Sequence, residues 1–122
     1  MMKIIVAGSR NVTLRQHVEY CINRGLQVLG HNTPVGYEIV SGGAHGPDFL
    51  AEQWAKKHGK PFTLFKADWD THGKKAGILR NIDMGNYADA LIAIWDGKSK
   101  GTKHMIDYMY KLNKPIVVYP GE

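Results

Sequence analysis

Five short apolar runs alternate along this chain with segments of helical periodicity, and that alternation restricts the fold more than any other feature. The runs are KIIVAG at residues 3–8, YEIVSGG at 37–43, PFTLFKA at 61–67, ALIAIW at 90–95 and KPIVVYP at 114–120. Each is short, rich in β-branched or aromatic residues and bounded by Gly, Pro or polar turns, as buried strands are. Between them apolar residues recur three and four positions apart. Leu14, Val18, Cys21, Ile22 and Leu26 mark a helix over 13–26, with Gly25 near its end. Leu50 with Trp54, and Ala51 with Ala55, mark another over 48–58 that stops at Gly59. A third helix is predicted over 78–87, and Met105, Ile106, Met109 and Leu112 mark the face of a fourth. Strands alternating with helices call for a parallel sheet covered on both faces. Right-handed crossovers then give an α/β, Rossmann-like three-layer sandwich with a mainly parallel five-stranded sheet.

Two segments stay outside this pattern. GHNTPVG at 30–36 is loop material, and DWDTHGKKAG at 68–77 is polar and irregular, a functional loop that forms either a lid or a wall. The 122 residues suit one domain, spanning 1–122, with a core of its own. Composition excludes disorder over most of the length, since 43% of residues are hydrophobic and 22% charged. No apolar run approaches the ~18 residues of a membrane span, and the N-terminus lacks a signal-peptide pattern, so a cytoplasmic protein with no membrane partner is expected. The single cysteine, Cys21, has no internal partner and reads as a small core hydrophobe. Sixteen Lys and Arg against eleven Asp and Glu leave a formal charge of +5. That favours an anionic partner, whether nucleotide, phosphorylated metabolite or nucleic acid, and also fits a merely soluble basic surface. The six histidines form no HxxxH or HExxH pair, so neither a metal site nor a required cofactor is expected.

Ligands of open parallel sheets bind beyond the carboxyl ends of the strands, where strand order reverses. Three Gly-rich polar segments fall at such ends: Gly8, Ser9 and Arg10; SGGAHGPD at 41–48; and DGKSKGT at 96–102. They are distant in sequence and are predicted to meet in space. In the second, Gly42 and Gly43 allow close backbone approach, and Gly46 and Pro47 set up a helix start, where free N–H groups favour an anion. Asp48 fits either a helix cap or an acceptor for a ribose hydroxyl. In the third, Ser99 and Thr102 offer hydroxyls, Gly101 keeps the backbone open, and Lys98, Lys100 and Lys103 add charge; a solvated turn reads equally well. The spacing is not that of a P-loop. Arg80 can grip a phosphate bidentately and Asn81 can read a base edge or sugar hydroxyl, or both can lie on an exposed helix face. Trp69 and Trp95, at the edges of these loops, suit either base stacking or core packing.

The ordered set GSR, IVSGGAHGPDFLAEQWA, ADW…GKKAG…RN…M and WDGKSKGTKHMI resembles the small YspA-type proteins of the SLOG superfamily. Other branches of that superfamily include the DNA-processing protein DprA and the LOG-type nucleotide hydrolases, and small members occur in phage and bacterial genomes. The resemblance runs from Gly8 to about Pro115. It implies a nucleotide-binding domain with Gly8, Ser9, Arg10, Gly42, Gly43, Asp48, Arg80, Asn81, Ser99, Gly101 and Thr102 at the ligand. One departure stands out. The last loop of the LOG-type enzymes reads PGGxGTxxE, its Glu taking part in catalysis, whereas this chain has GKSKGTKHM with Met105 in that place. Methionine neither exchanges protons nor stabilises an oxocarbenium-like centre, so hydrolysis by that route is not expected. Arg80 falls where those enzymes carry a functional Arg.

A sensor or sequestering module for a nucleotide, ADP-ribose-like or cyclic, is therefore the first expectation. The alternatives are a nucleotide N-glycosidase or phosphohydrolase using Arg80 with Asp48, Asp68 or Asp96, and a nucleic-acid binder of the DprA kind. A homodimer is the simplest assembly expected.

Overall fold

The computed structural model describes residues 1–30 and 36–121, so most of the predicted 30–36 loop lies outside the described residues. The five apolar runs become β1 (Met2–Gly8), β2 (Tyr37–Ser41), β3 (Phe62–Leu64), β4 (Ala90–Trp95) and β5 (Ile116–Pro120). Between them lie α1 (Arg15–Val28), α2 (Pro47–Lys57), α3 (Trp69–His72), α4 (Ala76–Tyr87) and α5 (Lys100–Lys111). The strands form one sheet in the order β3-β2-β1-β4-β5. Every pair is parallel.

Alternation along β1 divides the core. Ile4 and Val6 point to one face, among Val18, Cys21, Ile22 and Leu26 of α1 and Ala51, Trp54 and Ala55 of α2. Ile5 and Ala7 point to the other, among Met84 of α4 and Met105 and Met109 of α5. Because helices cover both faces, β4 is buried from Ala90 to Ile94 without a polar interruption. Each fully buried Ile, Val or Met contributes about 1.5–3 kcal/mol, which makes the two layers of α-helix the main stabilising contacts of the sheet. Gly25 has a packing reason: a Cβ there would lie 2.6 Å from Ile92 Cδ1, so α1 rests closer on β4 than any larger residue permits. Cys21 is fully buried, and burial pushes its thiol up to about 11, in keeping with a core hydrophobe.

Three predicted strands are shorter than expected: β2 ends at Ser41, β3 keeps only three residues and β5 starts at Ile116. At β3 the reason is its place at the sheet edge, where only β2 offers hydrogen bonds. The irregular loop predicted over 68–77 is instead α3, a 3-10 turn at Gly73–Lys75 and the first turn of α4. Apolar periodicity missed it because α3 and the turn bury no residue. A local signal does start α3: Asp68 accepts the Thr71 N–H at 3.1 Å, an N-cap whose carboxyl is thereby held below the usual range.

Strand order reverses between β1 and β4, since the chain leaves β1 toward β2 and returns to the other side of β1 with β4. The loop after β1 packs on the start of α2 through Gly46, whose φ of 82° belongs to the left-handed region. A Cβ there would lie 2.9 to 3.1 Å from the carbonyl oxygens of Val12, Ser9 and Arg10. Gly46→Ala is expected to lower the unfolding free energy by about 1–3 kcal/mol from the backbone alone. Urea denaturation of the two proteins measures it; an unchanged midpoint would mean that the 9–12 loop is not packed on α2.

Candidate functional site

At the β1–β4 crevice the three Gly-rich segments meet around a cavity of about 570 Å3. Gly8, Ser9, Arg10, Asp48, Arg80, Asn81, Asp96, Ser99, Gly101 and Thr102 all line it. Gly42 and Gly43 line an adjoining cavity, together with Arg10 and Arg80. The structure thus brings together the eleven residues expected at the ligand, whereas Lys98, Lys103 and Asp68 line neither cavity and Trp95 lines a different opening.

Several of them build the site and leave their polar atoms no freedom. Gly8 is a packing glycine, since a Cβ would lie 2.5 Å from Pro47 Cγ and 2.6 Å from the Ile94 carbonyl. Ser9 is buried, its Oγ accepts the Asp96 N–H at 3.0 Å, and its own N–H donates to Ile94 O. The Asp96 carboxylate accepts the N–H groups of Lys98 and Ser99, both at 2.8 Å. Those bonds, with help from Ser9 and Asn11, hold its carboxyl below the usual range. Through Oδ1, Asp96 organises the loop, and its lowered carboxyl makes it a poor proton carrier. Ser99 caps α5, its Oγ facing the Thr102 N–H. The Trp95 indole N–H donates to Ser99 O at 3.0 Å, so Trp95 braces this loop from the side. The amide of Asn81 donates to Gly101 O at 3.2 Å and lies 3.1 Å from His104 Nδ1, tying α4 to the start of α5.

Other groups stay available. Helix geometry leaves the N–H groups of Lys100 and Gly101 without intrahelical acceptors, while Ser99 engages those of Thr102 and Lys103. A Cβ at Gly101 would meet no atom within 4 Å, so packing gives no reason for this glycine and the space beside it is open. The first turn of α5 holds Lys100 and Lys103 and no acid. Cations at the positive end of a helix dipole are unfavourable until an anion arrives. Arg10 is exposed at the mouth, and Lys74, not singled out from the sequence, adds another cation there. Asn11 and Met84 line the cavity as well: Asn11 belongs to no motif noted in the sequence, and Met84 is the methionine of the RN…M element, to which no ligand role was given.

Asp48 is buried and Arg80 half-buried, and each feels the other's charge. Gly46 is the N-cap of α2, so Asp48 is not the cap; it lies one residue beyond Pro47, 5% exposed. Its Oδ2 accepts the Ala44 N–H at 3.4 Å, and its backbone carbonyl accepts the Ser41 hydroxyl at 3.1 Å. Arg80 donates from Nη1 to Gly42 O at 3.0 Å, and a Cβ on Gly42 would lie 2.9 Å from the guanidinium. Burial pushes the Asp48 carboxyl up to about 6, against the opposing pull of Arg80 and of the Ala44, Gly8 and Gly42 backbones. Burial likewise lowers Arg80, against the pull of Asp48. Mutual attraction acts on both groups and desolvation outweighs it on both. Arg80 keeps its charge across the working range of pH, whereas Asp48 titrates within it. Met105, where the LOG-type enzymes carry Glu, is buried in the cavity wall and the core.

Because the folded Asp48 binds its proton more tightly than the unfolded one, its contribution to stability is complete below about pH 4 and is lost as pH rises through about 6. Asp48→Asn removes that titration. Between pH 4 and pH 7 the stability of the variant relative to the parent is expected to rise by about 2–3 kcal/mol. Urea titrations at the two pH values read this directly; a constant difference would place the carboxylate in water.

Comparison with known proteins agrees with this architecture. Residues 2–72, more than half of the chain, match the family described as YspA, cpYpsA-related SLOG. The chain is 37% identical to the Gene 61 protein of Mycobacterium phage D29 over 123 residues, covering 96% of this chain and 95% of that protein. Among solved structures, the X-ray structure of TM1055 superposes with a TM-score of 0.68 at 22% identity, over 95% of this chain and 72% of that one. DNA processing protein A from Helicobacter pylori, studied for its single-stranded DNA binding mode, gives 0.71 at 20% identity, over 96% of this chain and 64% of that one. At those identities the likeness is one of fold. The chain belongs to the YspA, cpYpsA-related SLOG family.

Proposed function

We propose that this SLOG-family chain binds a nucleotide or nucleotide-derived ligand and releases it unchanged, as a sensor or sequestering module. The phosphate lies at the β1–β4 crevice on the N–H groups of Lys100 and Gly101, with Arg80 beside it. One observation carries the reading: Arg10, Lys74, Arg80 and Lys100 surround the same cavity as the open first turn of α5. The two carboxylates present, Asp48 and Asp96, are already bonded to backbone N–H groups. Charge, helix dipole and free donors therefore point at one volume, and the volume is of ligand size.

A second reading, hydrolysis of an N-glycosidic or phosphate bond, is favoured by Asp48 alone. A cavity-lining carboxyl that titrates near 6 has the proton affinity of a general acid. Single-stranded DNA, as bound by the H. pylori protein, is a third and would show affinity falling steeply with salt.

Calorimetric titration with AMP and ADP-ribose separates these, followed by chromatography of the recovered ligand. Binding with intact nucleotide is expected, weakened about tenfold or more in Arg80→Ala and less in Arg80→Lys, which keeps charge and loses the planar fork. Cleaved nucleotide would favour the hydrolase. No heat with either nucleotide at millimolar concentration would remove this reading.

A further inference from the structure

The site continues past Arg80. A second lobe of about 310 Å3 opens between the 42–44 turn, the end of β3 and α3. Arg10, Ala44, Trp69 and Arg80 line both lobes and form the junction between them. The chemistry of this lobe is that of an anion site with an apolar wall. Lys66 and Arg10 stand at it, no carboxylate lines it, and Leu64 supplies the wall at 40% exposure. The Trp69 indole is 53% exposed, lines both lobes, and has its Cη2 nearest to Gly77.

Arg80 adds an independent sign. While Nη1 bonds to Gly42 O, its Nε is buried with no hydrogen-bond partner. A buried guanidinium N–H left unbonded is unfavourable, and this one sits at the junction of the lobes. An anion placed there supplies the missing acceptor once the guanidinium turns toward it. A different opening, beside β5, also has an apolar and aromatic wall in Trp95, Val118 and Tyr119, but its lining residues include no cation and do include Asp96, whose carboxyl is held below the usual range. Charge therefore sends a ligand's second half toward Lys66 and away from β5.

We propose that the site takes a two-part anion of the dinucleotide class, one nucleotide in each lobe. The linking phosphate lies at Arg10 and Arg80, Lys66 faces the phosphate or sugar of the second nucleotide, and Trp69 stacks on a base. This rests on the nucleotide-binding reading and adds to it the second subsite and the residues that select for it.

The test is calorimetric titration of AMP and of the linear dinucleotide pApA into the parent, Lys66→Glu, Trp69→Ala and Val118→Lys. Val118 lies at the opening beside β5 and serves as the control. In the parent, pApA is expected to bind at least about tenfold more tightly than AMP. Lys66→Glu should weaken pApA about tenfold and leave AMP within about twofold. Trp69→Ala should weaken pApA about five- to a hundredfold, the range of a lost base stack. Val118→Lys should change neither. Equal affinities for AMP and pApA in the parent, or an equal loss of both in Lys66→Glu, would overturn the second subsite while leaving nucleotide binding intact. An eight-nucleotide oligoadenylate binding far more tightly than pApA would replace the dinucleotide by a single strand. Failure of both AMP and pApA to bind would remove the nucleotide reading and this one together.

Discussion

A carboxylate with almost no access to water ties together the C-terminal edge of the sheet. Asp48 accepts the Ala44 N–H from the turn after β2, presents its own carbonyl to Ser41, and feels the charge of the Arg80 guanidinium that α4 carries. These contacts fix the relative positions of the β1 loop, the 42–46 turn and α4, on which every other element of the site depends. The interaction is costly as well as organising, because desolvation outweighs the Coulombic attraction on both partners. A buried carboxylate beside a half-buried guanidinium does little for stability that a hydrophobic pair could not do. It does hold the Arg80 guanidinium in a defined direction against Gly42 O.

The first turn of α5 complements that pair. Asp96 and Ser99 shape the loop so tightly that its own side chains are consumed: the carboxylate by two backbone N–H groups, the hydroxyl by the helix cap. What remains exposed is main chain and lysine. The arrangement opposes the helix dipole, and an anion placed there would relieve it. Met105 closes the floor of the cavity with an apolar side chain where the LOG-type enzymes place a carboxylate. The cavity thus combines strong provision for binding charge with little provision for moving protons, apart from Asp48.

Much of this was legible in the residues. Short apolar runs and helical periodicity placed every strand and the four long helices, because buried β-branched runs such as ALIAIW have few other uses. The sheet topology then placed Gly8–Arg10, the 41–48 turn and the α5 start at one crevice. Roles were harder to read than places. Ser99 read as a hydroxyl donor or part of a solvated turn and Asp96 as a candidate acid or base; in the fold Ser99 caps α5 and Asp96 bonds the N–H groups of its own loop, partners that spacing does not encode. Asp48 read as either a cap or an acceptor; Gly46 takes the cap position and Asp48 is a buried acceptor. The α3 segment was missed because it is exposed all round, leaving only the Asp68 cap as a signal. Lys74 and Lys66 were missed because single surface lysines resemble one another until a cavity distinguishes them.

Binding of an anion at the α5 first turn, with Arg80 beside it, is open to direct measurement. At 13.7 kDa the chain is suited to amide-resolved NMR. Titration of AMP, with adenosine as the uncharged comparison, should shift the amides of Lys100 and Gly101 and the Arg80 Nε–H most strongly. Those shifts should depend on the phosphate and be absent with adenosine. Shifts confined to other surfaces, or identical shifts with adenosine, would contradict the account and leave the α5 loop as a basic turn.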